Sequence, residues 1–540
     1  MAFLFIFLAI VIFSSGAFGD FNKKIRFYQK PITWITVGII ASTSLFLHLF
    51  TYSYQIDYAK AITSNIVAHE IVFLLDSLNK GSDQIIGKMG DIQSYENAVW
   101  ARKWLVHDQG DFKFLDKEFP LIKYNYSFSR PGNRKGIWNR KLIEKPNIVL
   151  LFLESFRAHD IGVYGSRKGL TPYFDKHAKT GWLWTNFYAS GVQTPRAALA
   201  TLCSVYPYLG KSIQRSNTNL PLRGLPSILN ENGYITEFYH NGRLKFDKKI
   251  PFFPNLGFKR TFGMKDLDPQ DRYGNYGWGF PDVEFAKLLA IRLNGQDPNI
   301  PLFLTAFTVS HHHPWDVPDN NFKVIKEKGL GEYPRFLNSM HYTDHALGIF
   351  FKNINKKALN NTIFFILADT AQPMGEHHNN FALIRYLYEE NLRIPFLIYA
   401  PGFIREGRRF PEIASQVDIM PTILDMLNIG CINHSVGRSL LSEMNRPFAF
   451  FSNPNFELRA GVRMGRYKFI HQFKDNEDIL FNLEIDPLER KNVAPIVSQV
   501  TENLKKITFE KAMAIQPLVN RRKIWYRAIQ NPSKRLWPHE

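Results

Sequence analysis

The 540-residue sequence holds only two cysteines, Cys203 and Cys431. That excludes a disulfide framework and any cysteine-rich zinc module. Acidic residues are also in short supply: 67 Lys plus Arg stand against 48 Asp plus Glu, for a formal charge of +19. The excess favours an anionic partner, with lipid headgroups, nucleic acid and phosphorylated substrates as the classes in view. No low-complexity tract and no repeat of solenoid period is present. With 45% hydrophobic residues the chain is not generally disordered, and its length accommodates one large domain plus something smaller.

Residues 2–18 and 32–51 lack Asp, Glu, Lys and Arg and are mostly apolar. Each approaches the roughly 20 residues that cross a bilayer. Between them lie Lys23, Lys24, Arg26 and Lys30, so the positive-inside rule places this loop in the cytoplasm and the rest of the chain outside it. Residues 1–54 are therefore expected to form two transmembrane helices around a cytoplasmic basic loop. A cleaved signal peptide fits less well, because a basic n-region is missing and a second apolar segment follows. Residues 55–142 read as a juxtamembrane helix and a linker.

From 146 the texture changes. NIVLLFLE (147–154), PLFLTAF (301–307), TIFFILAD (362–369) and IPFLIYA (394–400) are short continuous apolar runs, as in strands buried on both faces. Helix-like stretches such as PRAALATLCS and VEFAKLLAIRL separate them. The expectation is an α/β domain over 143–500, with a mostly parallel central sheet and helices on both faces. Ligands collect at the carboxyl ends of such strands, where Glu154 and Asp369 fall. A carboxylate there also serves as a cap or turn residue. Residues 501–540 form a basic, aromatic tail whose composition suits anionic headgroups.

Thr194 precedes Pro195 at a helix start, with Arg196 two residues on. It can act as a simple N-cap. It can also be a nucleophile, because the positive end of a helix and an adjacent divalent cation both favour its alkoxide. A hydroxyl with two carboxylates is an all-oxygen set that suits Mg or Mn.

Taken together, NIVLLFLESFRAHDIGVYGS, TPRAALATLCS, SHHHPW, LRIPFLIYAPG, SQVDIMPTILDMLNI and NLEIDPLERKNVA resemble the alkaline phosphatase/sulfatase superfamily. Within it they resemble the lipoteichoic acid synthases and membrane phosphoglycerol transferases. In sulfatases a Cys or Ser four residues before the arginine becomes formylglycine; here that position is Val192, which cannot. The transferases resemble Thr-x-Arg, which Thr194 and Arg196 provide. The resemblance implies that Thr194 attacks a phospholipid donor such as phosphatidylglycerol and passes phosphoglycerol to a glycan, glycolipid or polymer. The implied metal ligands are Glu154, Thr194 and Asp369, holding Mn or Mg, with Zn or Ca as further options. His240, His312 and Lys249 are implied to contact substrate, Lys249 in place of an arginine.

One departure stands out: the family's Asp-His reads Asp369-Thr370 here. Thr370 is a poorer ligand than imidazole, which leaves His377 as a candidate to complete the site and His378 as a substrate contact. The expectation is a membrane-anchored phosphotransferase whose catalytic domain lies on the extracytoplasmic side of a bacterial cytoplasmic membrane, with no nucleic-acid partner. Phosphoethanolamine transfer, hydrolysis of phosphodiesters or sulfate esters, and a noncatalytic binding protein are the alternatives.

Overall fold

A computed structural model describes residues 102, 106, 111–127, 145–326, 332–378, 380, 386–442, 448–454 and 458–525. The chain divides into two compact units, Met1–Ala68 and His69–Glu540, and every described residue belongs to the second. The expected membrane spans at 2–18 and 32–51 lie outside the described residues. Among those described, no helix is long and apolar enough to cross a membrane.

Fifteen strands are described. β1 (Asp111–Phe114), β2 (Lys123–Ser127) and β11 (Cys431–Asn433) form a small antiparallel sheet. Part of the expected linker is thereby tied into the main domain. The central sheet contains β3 (Asn147–Leu153), β4 (Trp182–Tyr188), β5 (Ile235–His240), β6 (Arg260–Phe262), β7 (Leu302–Phe307), β8 (Thr362–Ala368), β9 (Phe396–Tyr399) and β10 (Arg408–Ser415), in the order β10-β4-β9-β8-β3-β7-β5-β6. All its pairings are parallel except those of β9, which runs against β4 and β8. Every residue of β3, β7 and β8 is buried. Both faces of the sheet are therefore covered, which explains why these strands read as unbroken apolar runs.

β12 (Phe448–Asn453), β13 (Arg459–Met464), β14 (Tyr467–Gln472) and β15 (Glu477–Asn482) make a separate antiparallel sheet. The helix Ser498–Asn520 packs against it. The expected boundary at 500 thus falls inside this helix, whose Ala512, Ile515 and Val519 are buried. Both cysteines are buried free thiols.

Strand pairing sets the location of the site. Leu153 on β3 lies beside Ala368 on β8, Phe152 beside Phe307 on β7, and Phe307 beside His240 on β5. The carboxyl ends of four adjacent strands therefore finish at one level. Phe365, at the middle of β8, is fully buried. Phe365→Ala is expected to cost about 3–5 kcal/mol, read as a lowered denaturant midpoint with an unchanged slope.

Candidate active site

Glu154 and Asp369 follow β3 and β8 directly. Their carboxylates are tied together through Ser155, whose hydroxyl donates to Glu154 Oε1 (3.0 Å) and whose amide donates to Asp369 Oδ1 (2.9 Å). Ser155 pays for this double duty with a left-handed φ of 50°, uncommon for a residue bearing a Cβ. The Glu154 amide donates to Thr308 Oγ1, just past β7 (3.0 Å).

Thr194 opens the ten-residue helix Thr194–Cys203, with Gln193 as its extended N-cap and Pro195 in the first turn. Its hydroxyl donates to Asp369 Oδ2 at 2.5 Å. The hydroxyl thus sits at the positive end of a helix and against a carboxylate. Arg196 is buried and donates to the carbonyls of Tyr208 and Gly210 and to Gln193 Oε1. Those bonds fix the loop after the helix.

Behind these groups, Gln416 was not singled out from the sequence, although it lies in the SQVDIMPT stretch. Its amide accepts from Ser190 N (3.0 Å) and donates to the Asp369 carbonyl (2.7 Å). One side chain therefore holds the segment leading to Thr194 against the end of β8. Asp282 does the same for the histidine loop, accepting from the amides of Val309 and Ser310, from Asn241 Nδ2 and from Thr343 Oγ1.

His240 ends β5 and is buried. Its Nδ1 pairs with the Phe307 carbonyl at 3.0 Å. A carbonyl only accepts, so Nδ1 carries the proton and Nε2 is the acceptor. A Cβ at Gly242 would lie 2.5 Å from that Nε2, so position 242 admits only glycine. Burial, then the nearby Lys249 ammonium, lower the pKa of His240 to about 3. His312 pairs Nδ1 with the His313 carbonyl (2.9 Å) and packs on Trp278, whose indole donates to the same carbonyl (2.7 Å). His311 instead points into the core, bonded to Ser339 Oγ.

Lys249 begins the short helix Lys249–Asn255 and is buried, its Nζ lying 5.0 Å over the Phe246 ring. Burial lowers its pKa, opposed by the charges of Asp247, Glu154 and Asp369. Glu154, Thr194, Asp369, His240 and Lys249 are thus electrostatic or hydrogen-bonding neighbours.

Thr370 is buried directly after Asp369. His377 lies in a different constellation. Its Nδ1 pairs with Glu390 Oε1 (2.6 Å), its Nε2 with the Glu489 carbonyl (3.2 Å), and its ring stacks on Tyr388 at 3.7 Å. Both nitrogens are engaged away from Asp369. Burial alone would lower its pKa, but the bond to Glu390 and its charge, together with Glu489, outweigh burial and raise it. His378 is exposed.

Among the described residues no group of three His, Cys, Asp or Glu could hold a metal ion. Counting hydroxyls changes the result. The Glu154 and Asp369 carboxylates with Thr194 Oγ1 form an oxygen set that fits a hard divalent cation completing its shell with water or substrate oxygens. Thr370 lies beside them.

The profile of the sulfatase family matches residues 146–429, and the chain belongs to that family. Residues 375–513 also match the N-sulphoglucosamine sulphohydrolase C-terminal family. The lipoteichoic acid synthase-like YvgJ of Bacillus subtilis is 22% identical over 64% of this chain and 57% of its own length. Lipoteichoic acid synthase 2 of the same organism is 24% identical over 58% and 50%. The chain thus spans about half the length of these relatives. An arylsulfatase of Clostridium perfringens is 24% identical over 65% of this chain and 90% of its own length. Among solved structures, an alkaline phosphatase superfamily protein from Vibrio parahaemolyticus superimposes with a TM-score of 0.65 at 22% identity, covering 81% of this chain and 98% of that one. The lipoteichoic acid synthase LtaP of Listeria monocytogenes does so at 0.57 and 17%, covering 73% and 96%. These likenesses establish an alkaline phosphatase-like α/β fold with a mixed central sheet, in a superfamily whose members depend on a divalent metal.

Two outcomes follow. Glu154→Gln is expected to weaken Mn binding about tenfold or more, whereas His377→Ala leaves it within about twofold, as read by calorimetric titration. His240, His311 and His434 each have pKa values lowered to about 3, chiefly by burial. The unfolded chain takes up these protons below about pH 6.5 while the folded chain does not, so the histidines' own contribution is flat above 6.5 and turns against folding as pH drops toward 3; His434→Gln, which removes one of them, is expected to lose less stability between pH 7.5 and 5 than the unsubstituted chain. Denaturant titrations at pH 7.5, 6 and 5 check this.

Proposed function

We propose that this chain is a membrane-anchored, metal-dependent transferase that moves a substituted phosphate group, of phosphoglycerol type, through a covalent intermediate on Thr194. The observation that carries this reading is the Thr194 hydroxyl, 2.5 Å from Asp369 at a helix N-terminus, in a sulfatase-family chain whose formylglycine position is Val192. The lipoteichoic acid synthase-like relatives support the same chemistry.

A bound divalent cation, held by Glu154, Thr194 and Asp369, supplies Lewis-acid neutralisation of phosphoryl charge and lowers the hydroxyl pKa. Asp369 Oδ2 orients Thr194 Oγ1 and receives its proton as the oxygen attacks phosphorus. The P–O bond to the lipid breaks, and diacylglycerol leaves as its alcohol after taking a proton from water. In the second half the acceptor hydroxyl gives its proton to a neutral imidazole and attacks the same phosphorus; the P–O bond to Thr194 breaks, Thr194 Oγ1 takes back the proton held by Asp369, and the imidazolium returns its proton to water. His312, with Nδ1 on the His313 carbonyl, is the imidazole that takes that proton, while His240, held neutral by burial, accepts a hydrogen bond from a substrate hydroxyl through Nε2. The buried Lys249 ammonium balances the two carboxylates and meets a phosphoryl oxygen as a point charge.

The donor would be an anionic phospholipid such as phosphatidylglycerol, the acceptor a glycan or glycolipid. The N-terminal apolar segments would place the domain at the outer face of the cytoplasmic membrane. A second reading, hydrolysis of a sulfate or phosphate ester, is favoured by the arylsulfatase match over 90% of that protein.

Incubating the full chain with phosphatidylglycerol and Mn is expected to add one glycerophosphoryl group to Thr194, located by peptide mass spectrometry and absent in Thr194→Ala. Release of sulfate or phosphate from small esters, with no adduct and no transfer to an alcohol, would instead establish the hydrolase. Lys249→Ala is expected to slow turnover about a hundredfold without weakening Mn binding, since a cation beside the two carboxylates is removed.

A further inference from the structure

Two neighbouring cavities outside the cluster around Thr194 share part of their lining. One, of about 360 Å³, is bordered by Tyr164, Arg167, Lys168 and Arg393; the other, of about 280 Å³, is bordered by Tyr188, Arg393, Arg463 and Arg490. His159 and Arg393 line both, so the two adjoin along one groove-like surface.

The acids in its wall are each engaged, Glu389 through a lysine that it shares with Glu489 and through the Tyr188 hydroxyl. Glu376 pairs with Arg157, Glu390 with His377, and Glu389 with Lys468. Arg167, Arg393, Arg463 and Arg490 have no carboxylate partner among the described residues. Arg393 donates to the Thr185 carbonyl, and Arg463 to Tyr188 Oη and the Tyr467 carbonyl, so neutral groups orient both guanidinium ions. Arg463 is more than nine-tenths buried. Its link to a carboxylate is indirect, through the Tyr188 hydroxyl to Glu389, and a buried cation lacking a direct ion pair favours an added anion. Guanidinium forks match the oxygens of phosphate and sulfate esters.

The groove also connects to the site through the chain. The segment leaving Glu154 reaches it at His159, the one leaving Asp369 reaches it at Glu376 and His377, and the one leading into Thr194 starts from it at Tyr188.

We propose that this arginine groove is a binding track for an anionic glycan or polyol chain, holding successive phosphate or sulfate esters while the chain's end lies at Thr194. It rests on the functional reading above only for the chemistry at that end; the charge pattern stands without it. Phosphodiester and sulfate-ester chains share the recognised chemistry, and the probes separate them.

The test uses the full chain in detergent micelles, carrying Thr194→Ala so that binding is measured without turnover. Absence of transfer and absence of the track then remain distinguishable. The probes are a glycerol phosphate hexamer, a sulfated hexasaccharide, orthophosphate and phosphatidylglycerol vesicles. At least one hexamer is expected to bind about tenfold or more tighter than orthophosphate, and the one that does identifies the ester. Arg167→Glu with Arg490→Glu, both at exposed positions, is expected to lower that affinity about tenfold. Lys356→Glu with Lys357→Glu, just before β8 at the opposite end of the sheet, is expected to leave it unchanged. The milder Arg490→Gln gives a smaller loss in the same direction. Unchanged affinity in the arginine variants, an equal loss in the lysine variant, orthophosphate binding as tightly as both hexamers, or binding to vesicles alone would each overturn the proposal.

Discussion

The site depends on the pairing register of β3 with β8. Leu153 beside Ala368 means that both strands end at the same height, so Glu154 and Asp369 leave the sheet as neighbours. A one-residue slip would turn one carboxylate to the opposite face and bury it among apolar side chains. Continuous burial across these strands makes such a slip expensive. The apolar runs that build the core are thus also what aligns the acids.

Around that pair the protein keeps charge in short range. Glu154 and Asp369 face Thr194 and Lys249, while Arg157 behind them holds Asp160, Glu376 and the Gln372 carbonyl. Asp160 is buried, which would raise its pKa, yet bonds from His159, Arg157 and Lys168 hold it far below the usual carboxylate range. A low-dielectric setting strengthens each of these contacts and punishes any unpaired member. The loop 370–378 is consequently anchored from two sides, by Arg157 and by the pairing of His377 with Glu390.

Much of the frame was legible in the sequence. Apolar runs located β3, β7, β8 and β9, because strands covered on both faces have no polar side. β5 was not legible: ITEFYH places Glu237 in a buried strand, where only the distant Arg260 and Arg292 neutralise it. Buried Arg459 and Lys468 hide β13 and β14 in the same way. At the site, order and spacing pointed to Glu154, Thr194 and Asp369, which the structure brings together. Local sequence could not reveal that Arg196 is spent on carbonyls or that His377 lies against Glu390 and Glu489. Gln416 left no signal, since an amide that links two main-chain segments looks like any surface glutamine until both segments are in place.

Gln416 also ties the outermost strand to the centre. β10 is the edge of the large sheet, yet the residue that follows it clasps the Asp369 carbonyl three strands inward and the Ser190 amide on the path to Thr194. An edge strand is ordinarily the part a fold can loosen, trim or lend to a neighbour at little loss. Here fraying of that border would release a main-chain strut beneath the nucleophile, so the rim of the domain must stay as fixed as its middle for the site to hold its shape.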